Sequence, residues 1–181
     1  SLHDALPILC FEEANKLDLK YNMNKTVCMC FQPKSWKLEV LPSLYLDSHK
    51  IDYVRSYKYL GCYIFNDLSD DGDVQRQIRS MYSRANILVR KFGKCSREVK
   101  VQLFKTYLVN SYCSQLWTKV SASQMQKVKV AYNNSLRIFF FLPRLGSISQ
   151  RFVNLGIPSY GELMRREIYG FWKRDRKSTR L

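Results

Sequence analysis

Asn66-Asp67-Leu68-Ser69-Asp70-Asp71-Gly72-Asp73 divides this chain into two kinds of sequence. After it, apolar residues recur at 74, 78, 81, 82, 85, 88, 89 and 92. That spacing predicts one amphipathic helix sustained over about five turns. The carboxylates fall at its N-terminal end, where the partial positive charge of the helix favours them. Before the acidic stretch the runs are short, aromatic and β-branched, and they alternate rather than repeat every three or four residues. A small β region followed by helices predicts an α+β chain with segregated halves.

On the β side, Leu9 to Leu19 has the spacing of the end of a helix, and Leu19 to Phe31 reads as a turn entering a strand. In that strand Val27, Met29 and Phe31 would form a large face and Cys28 and Cys30 a small one. Residues 33–42 read as a loop. Leu44-Tyr45-Leu46, a polar turn at 47–50, and Ile51-Asp52-Tyr53-Val54 predict a hairpin. Tyr57 to Phe65 reads as one further strand. On the helical side, Ser96 is placed to cap a helix running to about Trp117. Another helix runs from about Ser123 to Leu142, where Pro143 stops it. Ser159 and Glu162 offer a capping box for a last helix towards Trp172. Phe139-Phe140-Phe141, at helical spacing before a proline, are assigned to the core.

The 181 residues carry Lys+Arg 30 against Asp+Glu 15, a formal charge of +15, with 46% hydrophobic residues. The hydrophobic content supports a packed core, and the charge favours an anionic partner, of which nucleic acid is the commonest. The six cysteines, at 10, 28, 30, 62, 95 and 113, make no C-x-x-C pair. Cys28 and Cys30 share a strand face but lack partners for a zinc site. The sequence therefore predicts buried structural thiols in a reducing compartment, and no metal site. With no apolar run of ~20 residues and no secretory signal, the expected location is intracellular, in cytoplasm or nucleus, without membrane contact.

Two motifs sharpen this. Asn22-Met23-Asn24-Lys25-Thr26 precedes Val27-Cys28-Met29-Cys30-Phe31, and Tyr57-Lys58-Tyr59-Leu60-Gly61 precedes Cys62-Tyr63-Ile64-Phe65. Further strings follow in order: Ser83-Arg84-Ala85-Asn86, Arg90-Lys91-Phe92, Leu116-Trp117, Ala131-Tyr132-Asn133-Asn134 and Leu142-Pro143-Arg144. Over most of Leu9 to Trp172 this order resembles the end of the palm and the thumb of a reverse transcriptase from a non-LTR (LINE-like) retrotransposon. Both ends, Ser1 to Ile8 and Asp175 to Leu181, read like translated sequencing adapters. The expected organisation is then a non-native tail at 1–8, the C-terminal part of a palm at 9–66, and thumb-like helices at 67–145. A helical extension at 146–174 and a second non-native tail at 175–181 complete it.

The resemblance implies roles for particular residues. Asn22 to Thr26 matches polymerase motif D, which would make Lys25 the general acid or point cation that meets the charge developing on pyrophosphate. Tyr59, Leu60 and Gly61 match motif E, the primer-grip hairpin of the partial palm, where a β-turn or strand edge packs on the primer backbone and glycine permits close approach. Arg76, Arg79, Arg84, Arg90, Lys91 and Lys94 would form a cationic track holding phosphates without reading sequence. On a helical wheel Arg76, Arg79 and Arg90 fall near one another and Arg84 is offset. Almost no acids lie between Val74 and Arg97 to compensate them.

The family's Tyr-x-Asp-Asp motif, expected just upstream of Cys10, is not in the sequence. Two-metal nucleotidyl transfer needs carboxylates that clamp ions about 4 Å apart, and the aspartates at 67–73 look like a loop and a helix start. The resemblance thus implies a piece of an RNA-directed DNA polymerase, inactive alone. It would contact RNA template, DNA primer and the remainder of the polymerase. Mg²⁺ is implied for the whole enzyme and no cofactor for this piece. Two alternatives stay open: a stand-alone basic helical module that binds nucleic acid, and the functionless product of a decayed element.

Overall fold

A computed structural model describes residues 2–32, 40–46, 49–109, 114–117 and 120–178. The chain is mixed α+β and forms two compact units, Ser1–Tyr59 with Tyr63–Ser69, and Leu60–Cys62 with Asp70–Leu181.

The first unit opens with α1 (Leu2–Lys16), which is continuous through most of the stretch read as a non-native tail. Asp18, at φ 55°, ends the helix in the left-handed region, with the Leu19 amide returning to the Ala14 carbonyl at 2.9 Å. A single 3₁₀ turn, Met23–Lys25, leads into β1 (Val27–Cys28). The predicted hairpin is present as β2 (Leu44–Leu46) and β3 (His49–Tyr53), paired antiparallel with Leu44 opposite Ile51. Residues 47 and 48 of its turn, and 33–39 of the expected loop, lie outside the described residues. Strand β1 joins the free edge of β3 in parallel, giving the order β1-β3-β2.

Alternation in β2 buries Leu44 and Leu46 and exposes Tyr45. With Ile51 they form a small core, against which Phe11, Met23, Cys28 and Tyr53 pack. The expected large face of Val27, Met29 and Phe31 is not buried. Because β1 lasts only two residues, the alternation stops before Phe31, which is 53% exposed. Cys28 is the residue that reaches the core.

Tyr57 to Phe65 is a hairpin, not one strand: β4 (Ser56–Tyr59) turns at Leu60-Gly61 into β5 (Cys62–Phe65). Positive φ at both turn residues, 46° and 87°, is the mark of a type I′ turn, whose twist suits two-residue hairpins. Glycine is required at the second position because a Cβ in the left-handed region costs about 1–2 kcal/mol. Gly61→Ala should therefore destabilise the hairpin by about 1 kcal/mol. Faster amide exchange over residues 56–65, with exchange in the helical unit unchanged, is the expected readout; unchanged exchange in the hairpin would contradict the turn assignment.

The second unit contains α2 (Asp71–Phe92), α3 (Arg97–Tyr107), α4 (Ala122–Phe140), α5 (Ile148–Leu155) and α6 (Tyr160–Ser178). The sequence predicted four helices here; α5 is the additional one. Ser96, Ser121 and Ser159 each accept a backbone amide three residues on, from Val99, Gln124 and Glu162. Helix α3 ends at Tyr107 rather than near Trp117, and a separate 3₁₀ turn, Ser114–Leu116, holds the later residues. Helix α4 ends at Phe140, two residues before its predicted end, because Phe141 turns left-handed (φ 53°) ahead of Pro143. Phe139 is buried as expected, but Phe141 is 64% exposed. Helix α6 continues beyond Trp172 into the stretch read as a second tail.

Val74, Met81, Ala85 and Leu88 of α2 face inward, as the stripe predicts. Each buried side chain of Leu or Met size contributes about 1.5–3 kcal/mol. They pack on α4, where hydrogen bonds Gln75–Gln124 and Tyr82–Asn134 give the two helices the same sense. Tyr132 of α4 centres the aromatic core, stacked on Phe152 at 5.5 Å and edge-on to Phe104 at 5.6 Å. Its hydroxyl donates to the Pro158 carbonyl at 3.0 Å, and burial holds it above the ordinary tyrosine range, in the neutral form.

The cysteines depart from expectation. Cys62 is disulfide-bonded. Cys10, Cys28, Cys30 and Cys95 are free, Cys10 exposed and the others half-buried, with Cys28 packed against the small core.

Candidate nucleic-acid interface

Helix α2 commits one face to the core, so its opposite face is set by the same period. Arg79, Ser83, Asn86, Ile87, Arg90 and Lys91 are exposed there, and Lys94 follows just past the helix end. Arg79 and Arg90 lie eleven residues apart, about 16 Å along the axis and within roughly 20° of the same direction. Arg79 Nε leans back to the Gln75 carbonyl at 3.3 Å, leaving its terminal nitrogens outward. Arg90 and Lys91 occupy the last turn, where they also complement the negative end of the helix.

Two members of the expected track are not on this face. Arg76 bonds through Nε to Asp73 Oδ1 at 2.6 Å, and the Asp73 side chain is only 4% exposed. Asp73 Oδ2 accepts from Trp117 Nε1 at 3.0 Å, which ties the start of α2 to the 3₁₀ turn Ser114–Leu116. Arg76 is therefore a structural ion pair, drawn inward by a buried carboxylate one turn earlier. Arg84 is half-buried, donating from Nη1 to the Tyr107 carbonyl at 2.8 Å and from Nε to the Ser80 carbonyl. Burial, and secondarily the charge of Arg76, lower its pKa. It closes the C-terminal end of α3 instead of facing a ligand. The structure thus brings together Arg79, Arg90, Lys91 and Lys94, and withdraws Arg76 and Arg84.

The field around this face is one-sided. From Val74 to Gly161 the only acid is Glu98, while Arg97, Lys105, Lys127, Lys129, Arg144 and Arg151 add exposed positive charge. So strong an excess of cations over acids attracts a polyanion at long range.

The other expected residues are described in their own surroundings. Lys25 is exposed at the end of the 3₁₀ turn. The Asn22 carbonyl fixes that turn, accepting from the Lys25 amide at 3.0 Å and from Thr26 Oγ1 at 2.9 Å. At the hairpin tip Tyr59 and Leu60 are 57% and 72% exposed, an apolar pair beside the bare backbone of Gly61.

Among the described residues no cluster of three or more His, Cys, Asp or Glu could hold a metal ion, and no helix is long and apolar enough to cross a membrane. Cys28 does not supply a thiolate: burial first, and then the neighbouring Cys30, raise its pKa. Sequence reasoning missed a second group of cations, Arg97, Lys100 and Arg151, which line one cavity. A signal was present, since Lys100 stands one and two turns before the buried Phe104 and Leu108. Compared with protein-family models, curated proteins and solved structures, the chain finds no match.

Proposed function

We propose that this chain binds the sugar–phosphate backbone of nucleic acid, as the palm-end and thumb piece of an RNA-directed DNA polymerase of a non-LTR retrotransposon. The observation that carries the binding part is the exposed α2 face of Arg79, Arg90, Lys91 and Lys94, within a stretch from Val74 to Gly161 whose single acid is Glu98. Such contacts are electrostatic and independent of sequence, which suits a thumb that must slide along a growing duplex. The polymerase part rests on the ordered motifs. Lys25 would meet the pyrophosphate charge, and Tyr59, Leu60 and Gly61 would grip the primer. Mg²⁺ and catalysis would belong to the complete enzyme, whose Tyr-x-Asp-Asp motif is not in this sequence.

The whole chain should bind an RNA–DNA primer–template at least tenfold more tightly than a scrambled chain of the same composition, measured by fluorescence anisotropy at about 0.1 M salt. Equal binding would reduce the thumb reading to bulk charge. A second reading, a stand-alone basic helical module, is favoured by the large core of the second unit. Lys25→Ala in a polymerase carrying its catalytic carboxylates separates the two. The polymerase reading expects slower incorporation with primer–template binding unchanged, and the module reading expects no effect.

A further inference from the structure

Lys100 is the least expected side chain in the second unit. It is 9% exposed, with Nζ 4.8 Å from the centre of the Phe141 ring and 5.9 Å from that of Phe139. Ring faces stabilise a cation but accept no ordinary hydrogen bond. Among the described residues no oxygen accepts a hydrogen bond from its ammonium and no carboxylate pairs with it. The stem is enclosed while the ammonium opens to a cavity, where an anion can complete its shell.

What Lys100 faces is a cavity of about 340 Å³, within the ~300–1,000 Å³ range of small-ligand sites. Arg97 stands one turn earlier on α3, Arg151 lines the cavity from α5, and among the described residues no acid lines the space. Arg97 is fixed by its Nη2 bond to the Asn154 carbonyl at 2.9 Å. The cavity also lies at the Ser96-capped N-terminus of α3, whose dipole adds positive potential. Three cations line one cavity with only Glu98 beside them on α3, an arrangement that favours a multiply charged anion. Phe140, Leu142 and Leu155 form the remaining wall, so the cavity has an apolar side for an organic substituent.

We propose that this cavity is a phosphate site for a nucleotide, with Lys100, Arg97 and Arg151 holding the phosphate and the Phe140–Leu142–Leu155 wall taking the group it carries. The site shares no lining residue with the cations of the α2 face and does not depend on the nucleic-acid reading. Phosphate of this kind has two sources, a free nucleotide or the end or backbone of a strand, and the titrants distinguish them.

The test is calorimetric titration of the whole chain at low salt with AMP, inorganic phosphate, adenosine, and a dinucleotide with or without a 5′-phosphate. AMP should bind one to one, inorganic phosphate more weakly, and adenosine not measurably. A dinucleotide that binds only with its 5′-phosphate identifies a terminal phosphate; equal binding of both forms identifies a backbone diester, and no binding of either a free nucleotide. Lys100→Met keeps length and apolar packing, and should weaken AMP binding at least tenfold. Arg151→Gln, at an exposed position, should weaken it severalfold, while Arg79→Gln should change nothing. If adenosine binds as well as AMP, or if both Lys100→Met and Arg151→Gln leave AMP binding unaltered, the proposal is overturned.

Discussion

Asp73→Ala should lower the stability of the helical unit by about 3 kcal/mol or more, the usual cost of removing one partner from a buried ion pair. Asp73 is 3% exposed and engages two elements at once, Arg76 by its Oδ1 and Trp117 by its Oδ2. Alanine would strand the Arg76 guanidinium, whose Nη2 is already buried without a partner among the described residues. It would also leave the Trp117 indole N–H unmet, a further loss of about 1 kcal/mol. The melting midpoint should fall by ~10 °C, with the near-ultraviolet signal of the tryptophans lost in the same transition. The paired replacement Asp73→Leu with Arg76→Met should recover much of that loss, because no charge is then left buried. A loss below about 1 kcal/mol for Asp73→Ala would mean that the ion pair is open to water and that Arg76 is free for a ligand.

The sequence carried the α+β division and the inward stripe of α2 because both rest on local periodicity. It also carried the β2–β3 hairpin and the serine caps, whose signals lie within a few residues. It misplaced what depends on partners distant in sequence. Nothing near Arg76 tells it apart from Arg79 except Asp73, which was read as a helix-dipole carboxylate until the structure brought Trp117 onto it. Arg84 is drawn in by a carbonyl at Tyr107, twenty-three residues away. Tyr57 to Phe65 reads as one strand because its turn uses Leu60, a residue that seldom accepts positive φ, in place of asparagine or aspartate. The two-residue length of β1 and the early end of α3 were hidden for a related reason, since apolar runs continue beyond both elements. Of the candidate site, the sequence identified the charged helix; only the fold sorts its cations into those facing solvent and those holding helices together.

That sorting gives the second large effect. With Arg79→Gln, Arg90→Gln and Lys94→Gln combined, three exposed cations leave one face while the core contacts of α2 stay intact. Each phosphate neutralised by a protein cation contributes about 0.9 to the slope of log K against log salt on duplex DNA. The triple variant should therefore lose about 2 to 3 from that slope and bind roughly a hundredfold more weakly near 0.1 M salt. Its melting temperature should not move by more than a degree or two, since exposed substitutions usually change stability by about 0.5 kcal/mol or less. Arg84→Gln provides the contrast: it removes the same charge from the same helix but from a side chain spent on the Tyr107 carbonyl. It should cost stability and leave the salt slope nearly unchanged.

The most direct test of nucleic-acid binding through α2 is this slope, measured by anisotropy on one labelled primer–template for the native chain, the triple variant and Arg84→Gln. A steep native slope, shallower by 2 to 3 in the triple variant and kept in Arg84→Gln, is the expected result. Equal slopes in all three proteins would contradict the account, placing the contacts elsewhere on the chain or showing that it binds by net charge alone.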